Sequence, residues 1–201
     1  MRRLSFYREL EGDAERGDPF EGDSALFQAA HLSRITIGDH EIAPSDLAGP
    51  IRLSNSEDRT CAVFCMLAIG DQVVEKHLRS GLPLVNRRST EFGEAALVVR
   101  DLPRFFDRLE RALRAERLSA RGAFIEYVDI TTHNGDLGPL RKDARFGHQQ
   151  EWRLVVSNPP SDPLVLLLGD LTDITSIVDS RTAVLDVEAV ESGLSEPSEK
   201  S

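Results

Sequence analysis

Short segments with the residue pattern of β-strands follow one another along most of this chain, and their order constrains the fold more than any other feature. Most of them are separated only by turns, and such turns join antiparallel neighbours. The pattern therefore predicts an α+β fold with a largely antiparallel, mixed β-sheet. The predicted strands are a hairpin over residues 34–43, with a tight turn at Gly38-Asp39, and then residues 50–56, 60–67, 95–99, 122–130, 151–157, 163–168 and 175–179.

Two longer segments carry helical signals instead. Residues 70–81 end at a glycine, which is a common stop for a helix. The clearest helix lies within 100–122, where Asp101 precedes Pro103 as a start signal and Gly122 comes just beyond the end. We therefore predict two main helices. The apolar stripe of the second helix consists of Leu102, Phe105, Phe106, Leu109, Ala112 and Leu113.

A long segment without a clear pattern precedes the last group of strands. Residues 131–150 are predicted to form a loop of about 20 residues, and loops of that length inside a compact domain are commonly functional or mobile. This loop leads directly into Glu151, which opens an apolar strand. We therefore expect the junction at Glu151 to matter for function.

Composition limits the size and the partners of the protein. The chain has 201 residues and 40% hydrophobic content, enough for one core, so we expect one globular domain over 1–190 and a disordered polar tail over 191–201. Acidic residues outnumber basic ones by 34 to 24, and the formal charge of -10 repels anionic membranes and phosphate backbones. With no apolar run of roughly 18 residues and no signal peptide, we expect a cytoplasmic protein that does not bind membranes.

The cysteines and histidines give no support to a disulfide or a metal site. Cys61 and Cys65 lie in a predicted strand, where four residues span about 13 Å, too far for a disulfide. We expect both to be small buried apolar residues. The five histidines form no pair at ligand spacing with each other or with a cysteine, so no metal cofactor is predicted.

The start of strand 151–157 concentrates polar side chains on one face. Alternation along a strand places Glu151 and Arg153 on the same side, with Gln149 joining them if the extended conformation begins early. One interpretation is an active-site corner at the edge of the sheet. The other is an ion pair between Glu151 and Arg153, or with neighbours, on a solvent-facing edge.

Two short motifs resemble those of ADP-ribosyltransferases. Gln149 stands two residues before Glu151 at the start of an apolar strand, which resembles the Gln/Glu-x-Glu motif of that superfamily. Tyr7 and Arg8 in "FYREL" resemble its aromatic-arginine pair at the end of the first strand. The resemblance implies an ADP-ribosyltransferase-like fold and the use of NAD as a substrate.

The roles of single residues follow from this resemblance. Glu151 would stabilise the charge that develops on the ribose as nicotinamide leaves, and Gln149 would orient the acceptor. Arg8 would hold the phosphates of NAD, since a guanidinium binds phosphate oxygens in pairs. Either Tyr7 or Phe146 would stack on an aromatic ring of NAD. The further substrate contacts would be Arg145, His148 and Arg153.

The expected activity is that of a mono-ADP-ribosyltransferase or an NAD glycohydrolase, in bacterial or phage conflict. Its partners would be a nucleotide and, for a transferase, a protein or nucleic-acid acceptor.

A second resemblance covers about residues 5 to 156. The chain is similar to a group of uncharacterised bacterial proteins that carry an Asp-Pro-x-Glu block, a Cys-Phe-Ser strand and a final Lys…Glu-x-Glu-Tyr/Trp-Arg block. Here the corresponding segments are "GDPFEG", "TCAVFC" and "LRKDARFGHQQEWRL". This similarity implies a common fold and supplies no reaction. Within the first block, Asp18 and Glu21 are interpreted as part of a shaped turn or, alternatively, as ligands for a cation or a ribose hydroxyl.

Two alternative functions remain open. Arg141 and His148 have the spacing used by some metal-independent ribonucleases, in which Lys142, His148 and Glu151 would supply charge stabilisation, acid and base. An acidic protein of this size is also typical of a non-catalytic inhibitor or accessory module that presents carboxylates to a basic partner or holds a ligand.

Overall fold

The computed structural model describes residues 1–10 and 16–181. The predicted tail at 191–201 lies outside the described residues, as do residues 182–190 of the predicted domain. Helices and largely antiparallel strands are both present, so the predicted α+β class is confirmed.

The strands are β1 (Arg2–Arg3), β2 (Ala25–Phe27), β3 (Ile35–Ile37), β4 (His40–Ile42), β5 (Ile51–Leu53), β6 (Ala62–Leu67), β7 (Ala95–Val99), β8 (Ala120–Phe124), β9 (Glu126–Val128), β10 (Gly135–Asp136), β11 (Arg141–Asp143), β12 (Glu151–Val156) and β13 (Thr175–Asp179). The α-helices are α1 (Leu4–Arg8), α2 (Ser56–Thr60), α3 (Asp71–Ser80) and α4 (Leu102–Ala115).

A four-stranded antiparallel sheet in the order β1-β6-β12-β8 forms the centre of the fold. Strand β12 pairs along its length with β6 on one side, where Arg153 lies opposite Cys65, and with β8 on the other. Glu151 opens β12 as predicted, but the expectation that it lies at a sheet edge is wrong. A strand with neighbours on both sides has its backbone groups paired, so its side chains alone are left to form a site.

Helix α4 covers one face of this sheet. Its residues Phe105, Leu109 and Leu113 are buried and pack against Leu154 and Val156 of β12 in the largest apolar cluster. The predicted helical stripe is thus confirmed in its centre, because the stripe points at the apolar face of the sheet. On the opposite face, Val63 and Val155 pack against Leu4 of α1. Cys65 and Leu67 of β6 and Glu151 and Arg153 of β12 line the cavity described below.

Smaller sheets surround the central one. Strand β2 pairs with β5 and β10, β7 pairs with β13, and β3 pairs with β4 around the predicted Gly38-Asp39 turn, all antiparallel. Strand β11 pairs with β9 in parallel. The segment 131–150, predicted as a loop, therefore contains strands β10 and β11, with 3₁₀ turns at Gly138–Leu140 and Ala144–Gln149. The sequence of this segment shows no hydrophobic periodicity. Its strands therefore could not be predicted, because they form by pairing with β2 and β9.

The second helix ends earlier than predicted. Arg117 adopts a left-handed φ of 55°, and the amide of Leu118 donates to the carbonyl of Leu113 at 2.9 Å, which closes the helix in a Schellman-like turn. Leu118 packs on the apolar cluster, and the chain reverses into β8. Gly122 therefore lies inside a strand and does not cap the helix.

Two segments take forms other than those expected. Residues 163–168 alternate between buried Leu164 and exposed Val165 and Leu167, yet they form no strand. Leu164 exchanges two backbone hydrogen bonds with Met1, and Leu164 and Leu166 pack on the apolar cluster. Tyr7 and Arg8, which the resemblance places at the end of the first strand, lie in helix α1. Alternation of apolar and polar residues indicates which side chains are buried. It does not indicate whether a neighbouring strand is present to pair with the segment.

Gly122 provides a test of the packing between β8 and β12. A Cβ atom at this position would lie 2.4 Å from Cζ2 of Trp152, which crosses it from the neighbouring strand. We expect Gly122→Ala to lower the free energy of unfolding by about 1–3 kcal/mol, since the ring must move out of its packed position. Urea unfolding measures this change. Gly49→Ala, where nothing lies within 4 Å of the added atom, is the control and should change stability little; equal effects of the two substitutions would contradict the packing.

Candidate functional site

A cavity of about 620 Å³ lies over the face of β6 and β12 that is not covered by α4. Its walls come from α1, β6, β7 and the 3₁₀ turn at Arg87–Phe92, and they are mainly apolar. The wall residues are Phe6, Tyr7, Leu10, Arg16, Cys65, Met66, Leu67, Val85, Ser89, Thr90, Phe92, Gly93, Ala95, Ala96 and Ser180. Gln149 also lines it, beside four charged residues that we call the ionic floor: Glu21, Lys142, Glu151 and Arg153.

Arg153 is the centre of the ionic floor. It is only 2% exposed, and its Nε donates to Oε1 of Glu151 at 2.5 Å. Its Nη1 donates to Oε1 of Glu21 at 2.5 Å and to the carbonyl of Pro139 at 2.8 Å. Two carboxylates from distant parts of the chain thus share one buried guanidinium, which burial would penalise severely if it were unpaired.

Lys142 supplies the second cation of the floor. Its Nζ donates to Oε1 of Gln149 at 2.8 Å and to Oε2 of Glu151 at 3.4 Å, and it lies 3.9 Å from Oε2 of Glu21. The ring of Phe146 covers it, with the ammonium 4.7 Å from the ring centre. Two carboxylates and two cations therefore form one closed network.

The network keeps Glu151 ionised. Burial by itself would raise the pKa of this carboxyl, but the charges of Arg153 and Lys142 outweigh burial and lower the pKa below its ordinary value. The Cys65 thiol hydrogen-bonds the same carboxylate, and burial raises the pKa of that thiol, so it stays protonated. The hydroxyl of Tyr127 accepts from the backbone amide of Glu151 at 2.9 Å. Arg153, Lys142 and Cys65 thus hold the carboxylate as an anion, and Tyr127 fixes the backbone at Glu151.

The predicted grouping of Gln149, Glu151 and Arg153 is confirmed, because all three line the cavity. The reason differs from the one predicted. The strand does not begin early; instead Gln150 adopts a left-handed φ of 46° between the 3₁₀ turn and β12, and this turn brings Gln149 beside Lys142. The interpretation as an ion pair also holds for Glu151 and Arg153, although the pair is buried and does not lie on a solvent-facing edge.

Tyr7 and Arg8, predicted to act together, point to different places. Tyr7 lines the cavity, and burial raises the pKa of its hydroxyl to about 12. Arg8 is not among the residues that line the cavity; its Nη1 donates to Oδ1 of Asp23 at 2.7 Å. Asp23 is fully buried and also pairs with Arg52 at 2.6 Å. Arg8 is therefore not placed to hold the phosphates of a ligand in this cavity.

Phe146, Arg145 and His148 do not line the cavity. Phe146 is 1% exposed, and its ring is held between Lys142 and the guanidinium of Arg145, which is 4.6 Å from the ring centre. Nδ1 of His148 lies 3.2 Å from the carbonyl of Arg145. Phe146 thus supports Lys142, and it has no free face for a ring of NAD. Arg141, the first residue of the ribonuclease pattern, pairs with Glu126 at 2.7 Å outside the cavity.

Sequence reasoning gave Glu21 and Cys65 too little weight. Glu21 is placed by a tight turn, in which the amides of Phe20 and Glu21 donate to the side chain and carbonyl of Asp18 at 2.9 and 3.0 Å. Cys65, predicted to be buried and apolar, is exposed to the cavity. The signal for both was the second resemblance, because its three blocks supply Glu21, Cys65, Lys142, Glu151 and Arg153.

Among residues 1–10 and 16–181, no three histidine, cysteine, aspartate or glutamate side chains are grouped so as to hold a metal ion. No helix in the same ranges combines the length and apolar character needed to cross a membrane. Comparisons with protein-family models, curated proteins and solved structures gave no match. The function must therefore be argued from the geometry of the cavity.

The network makes a prediction about stability. Arg153→Met leaves Glu21 and Glu151 buried without their main partner, so we expect the free energy of unfolding to fall by about 3–5 kcal/mol. Arg79→Met removes an exposed pair with Glu75 and should cost less than about 1 kcal/mol. Urea denaturation of both variants measures the difference. A loss at Arg153 as small as that at Arg79 would contradict the central position of Arg153.

A second prediction concerns acid stability. Because the pKa of Glu151 is lower in the folded protein than its ordinary 4.5, the stability that its charge contributes is complete above that value and is lost as the pH falls through the folded pKa. Glu151→Gln cannot take up this proton, so its unfolding free energy should fall less on acidification than that of the wild type. Glu126→Gln removes an exposed carboxylate of the Arg141 pair and should keep the wild-type profile. Identical acid profiles of all three proteins would contradict the assignment.

Proposed function

We propose that the protein is an NAD-consuming enzyme, either an NAD glycohydrolase or a mono-ADP-ribosyltransferase, with its reaction centre at Glu151. The observation that carries the proposal is an ionised carboxylate on the floor of a mainly apolar cavity of about 620 Å³. Cavities of this size are typical of small-molecule sites, which combine apolar walls with a few convergent polar groups.

The chemistry of N-glycoside cleavage fits such a carboxylate. The bond between the anomeric carbon and the nicotinamide nitrogen breaks with its electron pair going to the nitrogen, so positive charge grows on the ribose. A fixed anion near that carbon stabilises the charge, and the apolar walls strengthen the effect by excluding water. Glu151 is already ionised and oriented by Arg153, Lys142 and Cys65, so it needs little reorganisation as the charge develops.

The other lining residues have roles that agree with this assignment. Gln149 is fixed beside Glu151 by its bond from Lys142 and would orient the water or the acceptor hydroxyl. Tyr7 offers an aromatic ring to the ligand. Arg8 has no part in the proposal, because its charge is committed to Asp23 outside the cavity. Arg153 acts through Glu151 as a positioning residue.

A non-catalytic ligand-binding module is the second candidate. One observation favours it: both oxygens of Glu151 already accept hydrogen bonds, Oε1 from Arg153 and Oε2 from Lys142. A carboxylate with both oxygens hydrogen-bonded can form a rigid polar floor for a bound ligand without taking part in a reaction. The two candidates differ in whether a bound nucleotide is turned over.

The proposal is tested by incubating the full-length protein with NAD and measuring released nicotinamide by chromatography. We expect turnover by the wild type, and we expect Glu151→Gln to lower kcat by about 100-fold or more, as is typical when a group that stabilises transition-state charge is removed. Glu126→Gln is the matched control and should retain activity. Full activity of Glu151→Gln, or neither turnover nor NAD binding by calorimetry, would overturn the proposal.

A second pair of variants separates loss of the site from loss of the fold. Ala96→Phe narrows the cavity from β7 without touching the ionic floor, whereas Leu97→Phe changes the next residue, which is 56% exposed and does not line the cavity. We expect only the first variant to lose nicotinamide release, with thermal unfolding of both near the wild type. NAD binding without turnover in the wild type would support the ligand-binding module instead.

A further inference from the structure

Strand β8 forms one edge of the central sheet. It pairs with β12 on one side, and within residues 1–10 and 16–181 no strand pairs with its other side. Edge strands are commonly protected from further pairing by a proline or a bulge. Strand β8 contains no proline, and its register with β12 is regular from end to end. Its outer side is therefore open to another strand.

Two backbone hydrogen bonds fix which residues of β8 face outward. The amide of Ile125 donates to the carbonyl of Glu151 at 2.9 Å. The amide of Ser157 donates to the carbonyl of Ser119 at 3.2 Å. In an antiparallel pair such bonds recur at every second residue, so the odd-numbered residues of β8 bond β12 and the even-numbered ones direct their amides and carbonyls away from it. The outward-pointing residues, which we call the β8 edge, are Ala120, Gly122 and Phe124.

The two faces of β8 differ in chemistry. On the face towards helix α4, the ring of Trp152 crosses Gly122, and Phe124 beside it is 60% exposed. Arg121 lies on the other face, opposite Val155. Because side chains of paired strands share a face residue by residue, a strand added to the β8 edge would place alternate side chains against aromatic rings and the others beside a guanidinium.

Positive charge accompanies this edge. Arg117, just before β8, and Arg121 are both exposed, and neither takes part in an ion pair within the described part of the chain. The protein as a whole has a formal charge of -10, so a basic edge is a local exception. Opposite charges on neighbouring strands stabilise their pairing. Carboxylates are therefore the complementary groups for the face that carries Arg121.

We propose that the β8 edge docks an extended acidic segment of another protein, which adds to the central sheet as a further strand and alternates apolar with acidic residues. The apolar side chains lie against Trp152 and Phe124, and the acidic ones lie beside Arg121. This docking is independent of the proposed function, because β8 contributes no residue to the cavity.

A second copy of the chain suits the β8 edge less well. Two β8 strands paired antiparallel about Gly122 would put both copies of Arg121 on one face as diagonal neighbours, about 7–8 Å apart. Two like charges at that distance repel, and two molecules of net charge -10 repel each other as well. An acidic strand replaces the local repulsion by attraction.

Fluorescence anisotropy with three labelled peptides tests the proposal on the full-length protein. The peptide Glu-Val-Glu-Val-Glu-Val-Glu has the proposed alternation, the second carries lysine in place of each glutamate, and the third carries proline in place of the central valine. We expect the first to bind most tightly. Tighter binding of the lysine peptide would show that net charge governs binding. Equal binding of the proline peptide would show that no backbone donor is used. Either result, or no saturable binding of the first peptide up to about 1 mM, would overturn the proposal.

Three variants locate the binding site. Ala120→Pro removes an outward-pointing amide and leaves the bonds to β12 in place, so peptide binding should weaken by roughly twofold to tenfold, the range for one backbone hydrogen bond, with Tm near the wild type. Arg121→Glu should weaken binding at least as much. Arg34→Glu is the matched control, since it changes the net charge equally at an exposed residue just before β3. Equal effects of the two charge reversals, or full binding by Ala120→Pro, would contradict docking at this edge.

Amide hydrogen exchange measured by NMR gives a pattern specific to strand addition. The bound peptide should slow exchange at Ala120, Gly122 and Phe124, whose amides point outward. Exchange at Arg121 and Ala123 should stay as it is, because these amides already bond β12. Binding that slows both sets, or neither, would overturn the proposal. So would sedimentation of the protein alone as a dimer that Ala120→Pro dissociates, which indicates a second copy, or tighter binding of oligothymidylate than of the acidic peptide, which indicates a nucleic acid.

Discussion

The buried guanidinium of Arg153 is the constraint on which the rest of the structure depends. A charge that is 2% exposed needs strong partners, and it finds them in Glu151 on its own strand and Glu21 far away in sequence. The bond to the carbonyl of Pro139 adds the segment before β11 to the same centre. One side chain thus ties an N-terminal turn and a long connection to the central sheet, and the cavity lies where these segments meet.

The two faces of strand β12 carry different kinds of side chain. Leu154 and Val156 point to helix α4 and form the apolar core, whereas Glu151 and Arg153 point to the cavity. The apolar face accounts for the stability of the sheet through burial. The polar face can therefore carry charged groups that cost free energy to bury, as is common where a protein holds a ligand or a reaction centre.

The structure separates the two residue pairs on which the expected function depended. The ADP-ribosyltransferase resemblance rested on Glu151 with Gln149 and on Tyr7 with Arg8; the first pair lines the cavity together, and in the second only Tyr7 does. Arg8, the residue expected to hold phosphate, is instead paired with Asp23 outside the cavity.

The sequence by itself determined the class of the fold, the β3–β4 hairpin, the centre of helix α4 and the shared face of Glu151 and Arg153, because these follow from local periodicity and turn residues. It did not determine that residues 4–8 are helical or that β12 lies inside the sheet, since both depend on neighbours distant in sequence. Only the tertiary structure decided that Glu21 completes the ionic floor. The physical reason is that a buried charge selects its partners by distance in space, and the pairing of residues 21 and 153 leaves no periodic trace along the chain.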